Sequence, residues 1–354
     1  MFSFRTTPIA DQPDRCLIQG RVGCFCTPNC FDVTTGKYLF DIFAERGNLA
    51  RVFAPSQSEL SKMGCHITFS QEELEELDAV VVEIQDVGSR YFGFTRDVMR
   101  LLSVRARMVE GPSIYIVDHF NPAGRIVEGS MPAVESDIWT PKVAHRHGLT
   151  LGELANLYVG EIDAKYPLHV ISAFASPSNR VLLPWMIAPA ADIPGMFTCL
   201  MYSGGSLWNK TSICPGIGTT RPYEVFGAPY LHNDTAALPP APEGVVLRPC
   251  SFVPSEGIYA GQKCFGYQII LSEGEQYHSL LHTLRLMRYF AEHYSQFEIT
   301  PQLLSKVADP VIEEYLKGGI TFDIVQEHVK AEEQKWIRKA KRYVLYDDVP
   351  VRIK

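Results

Sequence analysis

Residues 78–94 read Asp-Ala-Val-Val-Val-Glu-Ile-Gln-Asp-Val-Gly-Ser-Arg-Tyr-Phe-Gly-Phe. The run 79–84 is apolar and β-branched except for Glu83, which suits a strand buried on both faces. Gln85-Asp86-Val87-Gly88 ends it with polar groups and a glycine. From Thr95 the apolar spacing becomes three and four, through Val98, Leu101, Leu102, Arg105, Met108 and Val109, which is one face of a helix. Ile114-Tyr115-Ile116-Val117 then begins another apolar strand. Strand, loop, helix and strand in this order form a βαβ unit, and such units build parallel sheets. Ligands of open parallel sheets bind outside the carboxyl ends of the strands. Gln85-Asp86 and Asp118-His119-Phe120-Asn121-Pro122 both follow strands and fall on that edge.

The same alternation surrounds this unit. A strand over 21–26 precedes Thr27-Pro28-Asn29, and a short helix over 37–46 turns Tyr38, Leu39, Ile42 and Phe43 inward and stops at Gly47. A strand over 49–53 leads to Ala54-Pro55-Ser56-Gln57, and Ser70 with Glu73 makes a capping box opening a helix over 71–77. Repetition of strand, polar loop and helix is the pattern of a doubly wound α/β domain. Loops 27–29, 54–57, 85–90 and 119–122 are expected to gather on one edge. The first domain is placed at 1–165, with Tyr166-Pro167 at the boundary, and a second, smaller mixed α/β domain at 166–354. Half of the chain's 24 prolines fall within 176–262, which reads as long cleft loops. After it come a strand over 267–271, a helix over 276–294, and a helix over 321–341 with Ile324, Val325, Val329, Trp336 and Ile337 inward.

At 354 residues the chain suits two domains, and its −7 formal charge disfavours a nucleic-acid or anionic-membrane partner. The basic run Lys335, Arg338, Lys339, Lys341 and Arg342 follows Glu332 and Glu333, as on the wet face of a helix. An odd count of nine scattered cysteines points to reduced thiols in a cytoplasmic setting. Cys24, Cys26 and Cys30 lack the spacing of zinc pairs and read as small buried hydrophobes rather than a metal site. The stretch 1–14 has no apolar core of a secretory signal, and no apolar run reaches transmembrane length. Neither the Gly-x-Gly-x-x-Gly turn nor a P-loop occurs, so no nucleotide cofactor is expected.

Several motifs resemble those of one family. Ile84-Gln85-Asp86-Val87-Gly88-Ser89-Arg90-Tyr91 resembles Asp-x-Gln-Asp-Val-Gly-Ala-Arg-Phe/Tyr, and Asp118 to Pro122 resembles Asp-Arg-Pro-Asn-Pro, followed by Val127-Glu128-Gly129. Arg146-His147-Gly148-Leu149-Thr150-Leu151-Gly152-Glu153-Leu154 is similar to Arg-His-Gly-Met-Thr-Ile-Gly-Glu-Leu. Gly218-Thr219-Thr220-Arg221-Pro222-Tyr223-Glu224 with Gly227-Ala228-Pro229 is similar to Gly-Thr-Thr-x-Pro-Phe-Glu and Gly-Ala-Pro-Trp. The family is that of the NamZ-type exo-β-N-acetylmuramidases. The resemblance implies a Rossmann-like first domain and a second α/β domain. It also implies removal of terminal N-acetylmuramic acid from peptidoglycan fragments, as in cell-wall recycling, without a metal or organic cofactor.

The sequence departs from the family pattern at Pro189-Ala190-Ala191-Asp192, where the family has Pro-Ser-Pro-Asn, and at two stretches that bear on catalysis. Pro55-Ser56-Gln57-Ser58 stands for Pro-Glu-His-Gly, and 209–219 stands for a stretch with two further glutamates and an arginine. Glycoside hydrolysis uses two carboxyl groups, so two readings follow. One is a glycosidase with altered groups, Asp86 as the ionised carboxylate and His147 or a water as proton carrier. The other is a catalytically inactive relative that binds an acidic amino sugar. Either takes a small carbohydrate or muropeptide fragment as its partner.

Each candidate also has a structural reading. Asp86 can shape its loop, Glu83 can pair with a basic neighbour, and Glu153 belongs to a capping box with Thr150. His147 precedes a helix and faces its positive end or packs in the loop. Asn121 serves a turn or a sugar hydroxyl. Arg90 and Arg221 hold a lactyl carboxylate or pair with Asp86 and Glu224. Tyr91 and Trp208 stack on a sugar or fill a core. Gly216 to Thr220 presents backbone N–H groups to an anion or simply turns. Gln85, Arg146, Thr219 and Thr220 lie in the family-like motifs and join these substrate-binding candidates.

Overall fold

The structure is a computed structural model and describes residues 18–32, 35–55, 69–133, 141–172, 187–232, 234–272 and 277–346. The expectations for residues 1–14, for Ser56, Gln57 and Ser58, and for the start of the 176–262 segment therefore lie outside the described residues.

The first strand, β1, is Val22–Cys26. A short ribbon of β2 (Phe31–Asp32) and β3 (Lys37–Tyr38) leads to the helix Leu39–Glu45, and β4 is Leu49–Phe53. The helix expected from residue 37 starts later because Lys37 and Tyr38 pair with Asp32 and Phe31. Gln71–Glu75, β5 (Ala79–Glu83), the helix Gly93–Ala106 and β6 (Ser113–Asp118) follow. The helix Leu151–Glu161 and β7 (Leu168–Ser172) complete the first region. Both expected capping boxes form: Ser70 and Glu73 exchange their bonds, as do Thr150 and Glu153.

All pairings of the five-stranded sheet are parallel, in the order β4-β1-β5-β6-β7. This is a doubly wound sheet whose order reverses between β1 and β5. The sheet runs on past residue 165, where the sequence pattern places the end of the first domain, since Leu168–Ser172 is its edge strand. β5 is central and wholly buried, and its pleat explains the unbroken apolar run. Val80 and Val82 join one core with Phe25, Val98, Leu102 and Leu154; Ala79 and Val81 join the opposite core with Val22, Cys24, Leu39 and Phe43.

The second region holds the helix Met196–Gly205 and an antiparallel sheet of β8 (Val225–Ala228), β9 (Val245–Phe252) and β10 (Cys264–Leu271) in the order β8-β10-β9. Helices Ser279–His293, Pro301–Val307, Pro310–Lys317 and Phe322–Ala340 close it. Its core gathers Trp208, Phe226, Tyr267 and Phe290. The proline-rich stretch therefore contains a helix and two strands as well as loops. The last helix bridges the two cores, with Val325 and Val329 in the second and Trp336 in the first. Ile324 and Ile337, expected inward, are 49% and 41% exposed, because the stripe that is buried runs through Val325, Val329, Trp336 and Ala340. Among the described residues no helix is long and apolar enough to cross a membrane.

Candidate functional site

Parallel strands deliver their carboxyl ends to one edge, so Cys26, Phe53, Glu83, Asp118 and Ser172 all end there. The switch between β1 and β5 opens the crevice in which such sheets take ligands. Three side chains from three chain segments meet at it. Glu83, the last residue of β5, is 6% exposed, and its Oε1 lies 3.3 Å from Nε2 of His119, just beyond β6. This is the basic neighbour expected for a buried acid. Cys30, in the loop after β1, donates its thiol to the Glu83 main-chain oxygen at 2.6 Å and lies 3.5 Å from Thr27 Oγ1. Burial, with Glu83 next, pushes the Cys30 thiol well up. Sequence reasoning left His119 unassigned. The signal was present, because His119 stands where the family-like motif has arginine.

Asp86 lies one turn further along the loop and is 2% exposed. Oδ1 accepts the Thr95 hydroxyl, Oδ2 accepts the Gly88 N–H at 2.7 Å, and His147 Nε2 approaches Oδ2 to 3.2 Å. Burial would raise this carboxyl, but His147, Thr95 and Gly88 together outweigh it and hold Asp86 below its ordinary range. His147 is 1% exposed; its Nδ1 accepts the Leu149 N–H at 3.2 Å, which leaves a ring proton on Nε2 towards Asp86. Asn121 closes the same junction: its amide donates to Leu149 O at 3.0 Å, and its Oδ1 accepts Ala123 N–H at 2.9 Å. Gly88 has φ +81, and a Cβ there would sit 2.4 Å from Asn121 Oδ1, so only glycine permits this approach. Gln85, 3% exposed, spends its amide on Asp86 O and Phe120 O. The structure thus brings Gln85, Asp86, Asn121 and His147 together in a buried junction whose hydrogen bonds are largely internal.

Arg146 is fully buried and pairs with Glu128 at 2.9 Å, while its other nitrogen donates to Ala123 O. Glu128 in turn accepts Ser279 N–H, Leu280 N–H and the Ser279 hydroxyl, which pins the start of the helix Ser279–His293. Burial would raise Glu128, yet His278, Arg146 and these donors hold it below its ordinary range. Arg90 donates to Ser130 O at 2.9 Å and Val307 O at 2.5 Å rather than to Asp86. Tyr91 bonds His145 Nδ1 at 2.6 Å, with Arg90 on His145 Nε2 at 3.1 Å. Because Arg90 only donates, Nε2 accepts and Nδ1–H donates to Tyr91. Burial first, then Arg90 and His278, push His145 well down, so it is neutral.

The 216–221 turn is held by its own bonds. Thr219 Oγ1 donates to Gly216 O at 2.6 Å, Thr220 is exposed, and Arg221 pairs with Glu224 at 3.0 Å, as one expectation had it. Among the described residues no hydrogen bond or ion pair joins Thr219, Thr220 or Arg221 to Asp86 or His147. Trp208 stacks on Phe226 with centroids 5.3 Å apart inside the second core, and Glu153 binds Arg125 besides completing its cap.

Comparison with known proteins agrees with this architecture. The family model for the N-terminal part of exo-β-N-acetylmuramidase NamZ matches residues 60–181, and that for its C-terminal part matches residues 200–346. The peptidoglycan β-N-acetylmuramidase NamZ of Bacillus subtilis (strain 168) is 24% identical over 292 residues, which is 78% of this chain and 69% of that protein. Crystal structures of two DUF1343 family proteins from Bacteroides fragilis NCTC 9343 share the fold. One has a TM-score of 0.80 at 20% identity and covers 96% of this chain and 97% of its own. The other has a TM-score of 0.77 at 22% identity and covers 96% and 98%.

Proposed function

Because the chain belongs to the NamZ family of exo-β-N-acetylmuramidases, we propose that it recognises terminal N-acetylmuramic acid, or a sugar of that acidic amino-sugar class, at the carboxyl edge of β1, β5 and β6. One observation carries the reading: the family-like loops after β5 and β6 end on the edge and beside the switch point where open α/β sheets take ligands. A muropeptide fragment ending in such a sugar is the partner this implies.

Two modes of action follow from that recognition. In the first, the sugar is hydrolysed, with Asp86 as the ionised carboxylate and His147 or a water carrying the proton. This mode needs the loop 85–90 to open, because Asp86 and His147 are 2% and 1% exposed. In the second, the protein binds the sugar without cleaving it. The hydrogen bonds that Asp86 accepts from Thr95 and Gly88, with His147 Nε2 in contact at 3.2 Å, favour this second mode. So does Pro55-Ser56-Gln57-Ser58, where the family pattern has glutamate and histidine, because a neutral side chain supplies no proton and a general acid contributes about 10²–10⁴ in rate.

Incubation with MurNAc-GlcNAc and chromogenic N-acetylhexosaminides, alongside calorimetric titration of N-acetylmuramic acid, separates the modes. Binding without product supports the second, and turnover abolished by Asp86→Asn supports the first. Absence of both binding and turnover refutes the proposal.

A further inference from the structure

We propose that Cys30, Glu83 and His119 form a binding site for a zinc-like divalent metal ion at the β1/β5 switch point. The donors come from the loop after β1, the end of β5 and the loop after β6, and their ligand atoms all lie within 4.8 Å of one another. Tetrahedral zinc, with bonds of about 2.0–2.3 Å, sets its donors roughly 3.5 Å apart. Side-chain adjustment of roughly 1 Å therefore closes the cluster, without backbone rearrangement.

A second observation points to a ligand. Glu83 is buried, yet its Oε2 has no hydrogen-bond partner. His119 Nε2 is also buried and makes no aligned hydrogen bond, although it lies 3.3 Å from Glu83 Oε1. Orphaned buried polar atoms are rare and costly, and two on facing side chains suit an absent positive charge between them. Thiolate, imidazole and carboxylate are the donor set of zinc and its neighbours rather than of magnesium or calcium. Three protein donors leave a fourth position for water or a ligand oxygen. On binding, the Sγ–H bond breaks, an Sγ–metal bond forms, and the proton passes to solvent. The thiol then no longer donates to the Glu83 main-chain oxygen, a bond of 2.6 Å in the metal-free arrangement. Cys24 packs in the core, and Cys26, although beside Cys30 and Glu83, lies outside the group whose ligand atoms come within 4.8 Å of one another.

This inference does not rest on the sugar reading, and its test uses no sugar. Full-length, tag-free protein stripped with chelator is titrated with Co²⁺ alone and then Zn²⁺ alone. Saturable binding is expected, with a thiolate-to-cobalt charge-transfer band in the near ultraviolet that Zn²⁺ displaces. Cys30→Ser abolishes the band, while Cys26→Ser keeps it. Glu83→Gln and His119→Gln weaken binding at least about tenfold, since even outer partners of metal ligands cost that much. As a second readout, Zn²⁺ raises the melting temperature of the native protein, does not raise that of Cys30→Ser, and raises that of Glu83→Gln less at equal Zn²⁺, both being near-isosteric changes. Absence of saturable binding overturns the proposal. So does a band that survives Cys30→Ser or disappears with Cys26→Ser.

Discussion

Glu128→Gln is the sharpest probe of how the two regions are joined. Glu128 is fully buried; Oε1 accepts Arg146 at 2.9 Å and Ser279 N–H at 3.0 Å, and Oε2 accepts the Ser279 hydroxyl at 2.7 Å and Leu280 N–H at 2.9 Å. Glutamine keeps one acceptor oxygen and turns an NH₂ towards two of these donors. At least two charge-assisted bonds are lost, each worth about 1.5–3 kcal/mol, and Arg146 keeps an uncompensated buried charge. Removing one partner of a buried pair costs about 3–5 kcal/mol, and the bond count agrees with that range. Urea unfolding followed by circular dichroism should show this as a lower midpoint at unchanged slope. The double variant Glu128→Gln, Arg146→Met removes both charges and should cost less than the sum of the single changes by about 0.5–3 kcal/mol. Since Glu128 is held low, its contribution is present above the unfolded glutamate value of about 4.3 and is lost as pH falls through the folded value. The gap between native and Glu128→Gln protein should therefore narrow on acidification. A loss below about 1 kcal/mol, or strict additivity with Arg146→Met, refutes the reasoning.

Burial pushes the Asp118 carboxyl up to about 6 against donors from Thr150, Gly152 and Tyr346. The folded chain then binds this proton between about pH 4 and 6 while the unfolded chain does not, so this group's contribution falls by about 3 kcal/mol as pH rises across that window and is flat above it. A ¹³C-aspartate titration should find its midpoint near pH 6; a midpoint near pH 4 contradicts this. Trp336 donates to His147 O at 2.9 Å, so Trp336→Phe should cost about 1–3 kcal/mol by leaving that carbonyl unpaired, and Trp336→Ala about 3–5 kcal/mol; chemical denaturation measures both. Lys306 is lowered to about 7 by burial, then by Lys210 and Arg90. Its acetylation rate, followed by peptide mass spectrometry, should titrate near pH 7 rather than near pH 10.

The sheet was legible because each strand carries its own local signal. The run 79–82 is apolar without alternation, which only a doubly covered strand requires, and Ser70/Glu73 and Thr150/Glu153 announce their helices. The site was less legible. Polar residues at strand ends mark the edge, but whether they face a ligand or one another depends on contacts across long separations. Arg146 resembled a substrate-binding residue until Glu128 and the start of the helix Ser279–His293 came beside it. His119 and Glu83 are 36 positions apart in the chain, and no periodicity links them, so their meeting with Cys30 is a fact of β1, β5 and β6 lying side by side. Ile324 and Ile337 illustrate the reverse limit, since helical spacing alone does not say which of two neighbouring stripes the core takes.

Calorimetric titration of N-acetylmuramic acid against N-acetylglucosamine, which lacks the 3-O-lactyl ether and with it the carboxylate, tests the central claim most directly. Saturable binding of the first and at least about tenfold weaker binding of the second, equivalent to about 1.4 kcal/mol, is the result expected from a pocket for an acidic amino sugar. Equal affinity for the two sugars, or no heat with either, contradicts it.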